Sequence, residues 1–257
     1  MRKELGSEIV KDLEYTKKQY NLDANIRRYS EAIEEVGLWN SEKTIFDKYI
    51  DKNNKILDLG CGAGRTTINL YKSGYTNIIG LDIADKLIDF AKDYSNSHDL
   101  KINFVVGDAT KLEYEDNSFD VVIFSFNGMQ CIPGLENRKN VLKEVYRVLK
   151  PGGYYIFTAH DRHDPKSPQY LPFWEKIEND WNNGINESGV ECLGDLITID
   201  PAGEEAFIHF STIDELKDFI SEQPFEIVEY NYSYKIADEN EKTKDFSGDT
   251  VFWVLRK

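Results

Sequence analysis

The sequence predicts an α/β fold built on a largely parallel sheet. Three observations carry this. The stretch Lys55-Ile56-Leu57-Asp58-Leu59-Gly60-Cys61-Gly62-Ala63-Gly64-Arg65 reads as a buried strand, a glycine turn and the start of a helix. Three successive apolar runs each end in a carboxylate: Asp58, Asp82 and Asp108. Strand-length apolar runs alternate with helix-length amphipathic ones, the pattern of repeated βαβ units. Parallel strands bring their C-terminal ends to one edge, where open α/β sheets bind ligands, so the three carboxylates are expected to converge there.

Each element has its own warrant. Residues 1–50 read as helices: Ile9, Leu13 and Tyr20 share one face, Ile26, Tyr29, Ile33 and Val36 form a second stripe closed by Gly37, and Ser41 is placed to cap a third helix carrying Ile45, Phe46 and Tyr49. Tyr29 and Trp39 are expected either to pack beneath this cap or to close over a ligand at the glycine turn. The glycine turn follows, and from Arg65 a helix runs to Ser73-Gly74. The second strand, Asn77–Ile83, ends in Asp82, 24 residues after Asp58. A carboxylate there can accept both hydroxyls of a ribose, or can cap the next helix. The third strand, Ile102–Val106, runs into Gly107-Asp108-Ala109. The fourth, Phe119–Phe126, is the most apolar and is expected at the sheet centre. A helix over about Glu136–Leu149 stops at Lys150-Pro151-Gly152-Gly153, and Tyr154–Thr158 is the fifth strand.

The pattern then breaks. Residues 160–211 hold His160, His163 and His209, Trp174 and Trp181, and four of the seven prolines. A segment of this length between regular elements reads as an inserted lobe over the site. His160-Asp161-Arg162-His163 begins at the ligand edge, and His160 is the candidate to hydrogen-bond or deprotonate a substrate. Thr212 caps a further helix, strands follow at Phe225–Tyr230 and Asp249–Leu255, and the charged residues 235–248 read as a solvated connection.

Composition limits the partners. The chain has 257 residues, enough for one sizeable α/β domain, and a formal charge of -15, which disfavours nucleic acid and anionic membrane surfaces and leaves a small molecule as the expected partner. Cys61, Cys131 and Cys192 form no C-x-x-C pair, so neither a disulfide framework nor a zinc site is expected, and a reducing, cytoplasmic setting is. No apolar run reaches the ~20 residues of a membrane span.

Asp58-x-Gly60-x-Gly62-x-Gly64 departs from the G-x-G-x-x-G of dinucleotide sites, since Arg65 stands where the last glycine would fall. With the second-strand acid Asp82, Gly107-Asp108-Ala109 and Leu149-Lys150-Pro151-Gly152-Gly153 in that order, the chain resembles the class I S-adenosylmethionine (AdoMet) methyltransferases, most closely their small-molecule, bacterial-type group. The resemblance implies a Rossmann-like, seven-stranded, mostly parallel sheet with the last strand antiparallel and helices on both faces. It implies a single domain over 1–257: a helical cap (1–50), an AdoMet-binding core (51–160), an inserted substrate lobe (161–211) and a C-terminal helix with closing strands (212–257). AdoMet, released as S-adenosylhomocysteine (AdoHcy), is the implied cofactor. Asp58, Gly60, Cys61, Gly62, Gly64, Arg65, Asp82, Ile83, Asp108, Ala109, Phe126 and Asn127 are the implied binding residues, with Asp108 reaching the adenine amino group.

The implied reaction is in-line methyl transfer to an N, O, C or S nucleophile of a small acceptor. The donor is already activated, so alignment and exclusion of water are the protein's main tasks. Tyr29, Trp39, His160, Arg162, Trp174 and Trp181 are the candidate acceptor-binding residues, and His160 the candidate base for an oxygen acceptor. Three rivals stand beside this reading: a nicotinamide-dependent oxidoreductase, which the third glycine's spacing disfavours; a catalytically silent nucleoside-binding module; and a methyltransferase acting on RNA or protein. Against the last, Ser125-Phe126-Asn127-Gly128 stands where the Asn-Pro-Pro-Tyr signature of nucleic-acid amino methylation would fall.

Overall fold

A computed structural model describes residues 12–185, 190–199 and 203–257. The expectation for Ile9 lies outside these. In chain order the elements are α1 (Leu13–Tyr20), α2 (Asp23–Glu35), α3 (Asn40–Tyr49), β1 (Ile56–Leu59), α4 (Arg65–Lys72), β2 (Ile78–Asp82), α5 (Asp85–Ser97), β3 (Asn103–Val106), β4 (Phe119–Phe124), α6 (Leu135–Val148), β5 (Leu149–Ala159), α7 (Leu171–Asn182), β6 (Asp195–Ile199), β7 (Glu205–His209), α8 (Ile213–Ile220), β8 (Glu226–Tyr232), α9 (Ser233–Ile236), α10 (Glu241–Phe246) and β9 (Val251–Arg256).

Seven strands form one sheet in the order β3-β2-β1-β4-β5-β9-β8. β1 pairs parallel with β2 and β4, β2 with β3, and β4 with β5, whereas β9 runs antiparallel between β5 and β8. The expected topology holds, and β4 occupies the centre. Every residue of β1 is buried, because helices cover both faces of the sheet and leave no solvated side to alternate toward. On one face Val141, Leu142, Val145 and Val148 of α6 and Leu216 and Ile220 of α8 pack on the sheet; on the other, Trp39, Ile45 and Phe46 of the N-terminal cap join Leu70, Ile78, Val121 and Ile156.

Three local expectations are corrected. The helix at residues 40–49 is capped by Trp39 rather than Ser41: the Glu42 carboxylate reaches back to accept the Trp39 N–H, while Ser41 Oγ donates to Glu239. The helix stops before Lys150 as expected, but the fifth strand begins earlier than Tyr154: Lys150–Gly153 lies within β5, with a register shift against β4 and Gly152 at φ +81°. Residues 235–248 are not a bare connection. Asn240 accepts the Thr243 N–H and starts α10, which carries Phe246 back toward the sheet edge. Residues 161–211 hold α7 and the hairpin β6–β7, whose antiparallel register runs from Asp195↔His209 to Ile199↔Glu205. No helix of the described residues is long and apolar enough to cross a membrane, and among them no group of three or more His, Cys, Asp or Glu gathers to hold a metal ion.

Candidate active site

The turn after β1 is shaped by close packing. Gly60 has φ +59°, and a Cβ there would sit 2.4 Å from the Phe124 ring. Gly64, at φ +94°, is the N-cap of α4, and a Cβ would meet Ile68 at 2.9 Å and Phe104 at 3.0 Å. Only glycine meets both demands at each point. The turn is then tied to β2. Gly62 N–H donates to Asp82 Oδ2 at 2.8 Å, and Ala84 N–H donates to Oδ1 at 2.8 Å. Asp82 thus braces the glycine turn against the residue that precedes α5, whose N-cap is Ala84 with no side-chain cap. It does not take the helix-cap role weighed for it, and its carboxylate keeps acceptor capacity for a further donor.

A cleft with about 990 Å³ of empty space, part of it open to solvent, lies along the C-terminal ends of β1, β2 and β4. The converging carboxylates face it. Asp58 is 1% exposed, and its Oδ2 accepts from Thr67 Oγ1 at 2.6 Å. Burial raises its carboxyl to about 7, against the opposing pull of Thr67 and Arg65. Burial also raises Asp82, whose backbone donors hold it down in part. Asp108 Oδ1 accepts from both the N–H and the hydroxyl of Thr110, and no described residue engages Oδ2. Cys61, Ile83, Leu87, Ala109 and Ile132 line apolar wall between these acceptors. Burial pushes the Cys61 thiol well up, which makes it a packed neutral group. Further wall comes from the cap, the loop after β4 and α10: Leu13, Thr16, Tyr20, Tyr29, Phe126 and Phe246. Tyr29 and Phe246 each meet the Phe126 ring, at 6.2 and 4.9 Å between centroids.

Of the residues expected to hold the cofactor, Gly64 and Asn127 do not line this cleft. Asn127, at φ +58° and 2% exposed, is held on all sides. Its N–H donates to Thr158 Oγ1, its Oδ1 accepts from Thr250 Oγ1 at 2.6 Å, and its Nδ2 lies 2.9 Å from His160 Nε2. It fixes the loop that presents Phe126. Arg65 reaches the cleft wall, but its guanidinium is spent elsewhere. It pairs with both Glu42 oxygens at 2.6 and 2.7 Å and donates to Gly37 O, tying α4 to the N-terminal cap.

Most of the acceptor-side candidates lie away from this cleft. His160 is not part of the cleft wall. Its Nδ1 faces the Asp249 carbonyl at 3.2 Å and so carries the proton; Nε2 accepts from Asn127. Burial lowers its basicity, so the ring is neutral near pH 7 and buttresses Asn127. His160→Ala is expected to lower stability by about 1–3 kcal/mol, the cost of an unpaired buried amide. The pH profile of any activity should keep its shape; chemical denaturation and pH–rate measurements check the two parts. Arg162 is clamped by Glu178 and Glu215 and donates to the Phe210 carbonyl. Trp174 packs on Phe173 and Phe210. Trp39 is buried behind Phe126, and half-buried Trp181 lies on α7 away from the cleft. Tyr29 alone of this group lines it.

Sequence reasoning missed Tyr20, Cys131, Ile132 and Phe246 as wall residues. Phe246 had a legible signal. It is a lone aromatic in a charged run, three residues beyond the Asn240-x-x-Thr243 capping pattern.

Comparison with known proteins agrees with this architecture. Residues 56–153 match the family model described as "Methyltransferase domain". Sterol 24-C-methyltransferase of Kluyveromyces lactis is 30% identical over 209 residues, covering 79% of this chain and 48% of that protein. Demethylmenaquinone methyltransferase of Lactobacillus johnsonii is 45% identical over 103 residues, covering 38% and 40%. The chain spans about half or less of the length of these curated relatives. The crystal structure of a SAM-dependent methyltransferase from Methanosarcina mazei superimposes with a TM-score of 0.65 at 24% identity, covering 86% of this chain and 98% of that one, a likeness of fold. The segment matched to the methyltransferase-domain model contains the glycine turn, Asp82 and Asp108, and the strand order around it is that of the fold shared with the Methanosarcina mazei structure.

Proposed function

We propose that this protein transfers the methyl group of AdoMet to a small-molecule acceptor. The observation that carries this is the acceptor pattern of the cleft: Asp82 and Asp108 keep oxygen lone pairs free on either side of the apolar wall of Ile83 and Ala109. A nucleoside has that chemistry, with hydroxyl donors at one end, a flat ring in the middle and an amino donor at the other. The buried Asp58 and the absence, among the described lining residues, of any uncommitted cation suit a ligand that is itself positive at sulfur.

When bound, AdoMet would supply a methyl group that any aligned nucleophile can take. The chain's own residues do the rest. Asp82 and Asp108 would orient the nucleoside, the glycine turn lets backbone approach it closely, and Tyr20, Tyr29, Phe126 and Phe246 exclude water from the far side. The acidic surface, at a formal charge of -15, favours a small acceptor over nucleic acid. Calorimetric titration with AdoMet and AdoHcy tests the reading, with micromolar binding of both expected. Asp82→Ala should weaken each by about 1–3 kcal/mol, because the ribose hydroxyls lose their acceptor. No binding of either ligand would overturn it.

A further inference from the structure

A second cavity, with about 720 Å³ of empty space, part of it open to solvent, lies beside the short helical turn Gly128–Cys131. Gly128 and Cys131 line the cleft, whereas Met129 and Gln130 line this cavity, so one turn of chain stands between the two. The hairpin β6–β7 supplies the cavity's polar end. Asp195 and His209 are register partners on the two strands, and His209 Nδ1 lies 2.8 Å from Asp195 Oδ1. A carboxylate accepts, so Nδ1 carries the proton. The carboxylate is itself fixed. Its Oδ2 accepts the Cys192 N–H at 2.9 Å and the Glu191 N–H at 3.2 Å, and Arg138 Nη2 stands 3.4 Å from Oδ1. Against the penalty of burial, His209 and Arg138 hold the Asp195 carboxyl below its usual range.

This arrangement leaves His209 Nε2 with its lone pair. No described residue bonds to it. The His209 side chain keeps 15% of its surface accessible. With Nδ1 turned to Asp195, that surface belongs to the ring edge carrying Nε2, and the ring lines the cavity. Burial and the Arg138 charge lower the imidazole's basicity, Asp195 and Glu215 oppose them, and the net shift is down, so the ring is neutral near pH 7. The neighbours are otherwise engaged. Glu215 pairs with Arg162, Gln130 spans the N–H and carbonyl of His160, and Arg138, only 3% exposed, donates to the Ile132 carbonyl. Ser211 adds a hydroxyl to the same wall with no described partner, and Met129, Leu135, Leu216 and Phe219 make much of the rest apolar.

An imidazole acceptor set in an apolar wall asks for a ligand with one good hydrogen-bond donor and an apolar body. An ether or ketone brings no proton for Nε2. A carboxylate brings none either, and meets the charges of Asp195 and Glu215. An ammonium ion would shed its hydration beside the Arg138 guanidinium. A phenol suits all of these groups. Its acidity makes it a stronger donor than an aliphatic alcohol, it stays uncharged, and its flat ring matches the wall of Leu216 and Phe219.

We infer that this cavity is a second ligand site, separate from the cleft, that takes a small phenol with its hydroxyl donating to His209 Nε2.

The test is calorimetry with para-ethylphenol, its methyl ether para-ethylanisole, and para-ethylbenzoate, together with nitrogen NMR of histidine-labelled protein. The chain has four histidines, so the resonances lost in His209→Leu identify those of His209. The phenol is expected to bind at least tenfold more tightly than the ether, about the worth of one hydrogen bond, and the benzoate not detectably. The Nε2 resonance of His209 should move with the phenol and stay in place with the ether. His209→Leu should erase the tenfold advantage. Leu135→Glu, at the 36% exposed rim, leaves Asp195 and His209 intact and guards against a folding defect in the first variant; it should weaken the phenol about tenfold. Equal affinity for phenol and ether, preference for the benzoate, an unmoved Nε2 resonance, or phenol binding unchanged in both variants would each overturn the inference. The last two results would place any bound phenol in the cleft instead.

Discussion

Glu42→Ala is expected to destabilise the folded protein by about 3–5 kcal/mol. Glu42 is fully buried, and its carboxylate receives both arms of the Arg65 guanidinium and the Trp39 N–H. Removing it strands a guanidinium that is itself only 7% exposed and leaves the first turn of α3 without its cap. The remaining partner, the Gly37 carbonyl, carries no charge. A buried charge without its counter-ion is among the few single-site defects of this size. Replacing both ends, Glu42→Leu with Arg65→Met, should recover much of the loss, because an apolar pair needs no counter-ion. The Trp39 N–H and Gly37 carbonyl would still lack partners, so recovery should be incomplete. Urea denaturation of the wild type, the single and the double variant checks this.

Asp58→Asn should oppose stability to binding. The Asp58 carboxyl sits near 7, well above its ordinary 3.8, chiefly because burial penalises the charged form. In the unfolded chain it ionises near 4. Below about pH 4 both states hold the proton and the group is neutral to stability. Between about 4 and 7 the unfolded state ionises alone and stability falls. Above 7 the loss is complete, on the order of 3–4 kcal/mol. Asparagine carries no charge at any pH, so the unliganded variant should gain stability at pH 8 and gain little at pH 4. A cationic ligand rewards the ionised form. Wild-type affinity for AdoMet should therefore rise with pH through about 7 and level off near 8, with a proton released on binding at pH 7. Asp58→Asn should bind about tenfold or more weakly and lose the pH dependence. Thermal denaturation against pH, and calorimetry in buffers of different ionisation enthalpy, measure the two arms.

How much of this was legible follows from the range of the interactions. The glycine turn, Asp82 and Asp108 are set by local geometry, a strand end followed by a turn, and adjacent residues report them. Tyr29 reached the cleft through helical spacing. His160, Arg162, Trp39 and Asn127 were chosen for their chemistry, but their roles depend on partners far away in sequence. His160 is turned by the Asp249 carbonyl, Arg162 is neutralised by Glu215, and Asn127 is locked by Thr250. Nothing in a neighbouring residue reveals such a partner.

The antiparallel seat of β9 has a consequence for biogenesis. Within the sheet, β8 pairs only with β9, and β5 meets β9 through pairs such as Tyr154↔Arg256, joining residues a hundred positions apart. The first five strands can assemble through neighbouring βα units while synthesis proceeds. Until residues 251–256 emerge, β5 presents an open, strongly apolar edge and β8 has no place to dock. Such an edge is a template for pairing with other chains. The interval between completing β5 and seating β9 is thus the point at which this protein is most exposed to misassembly, and at which a holdase chaperone would have most to protect.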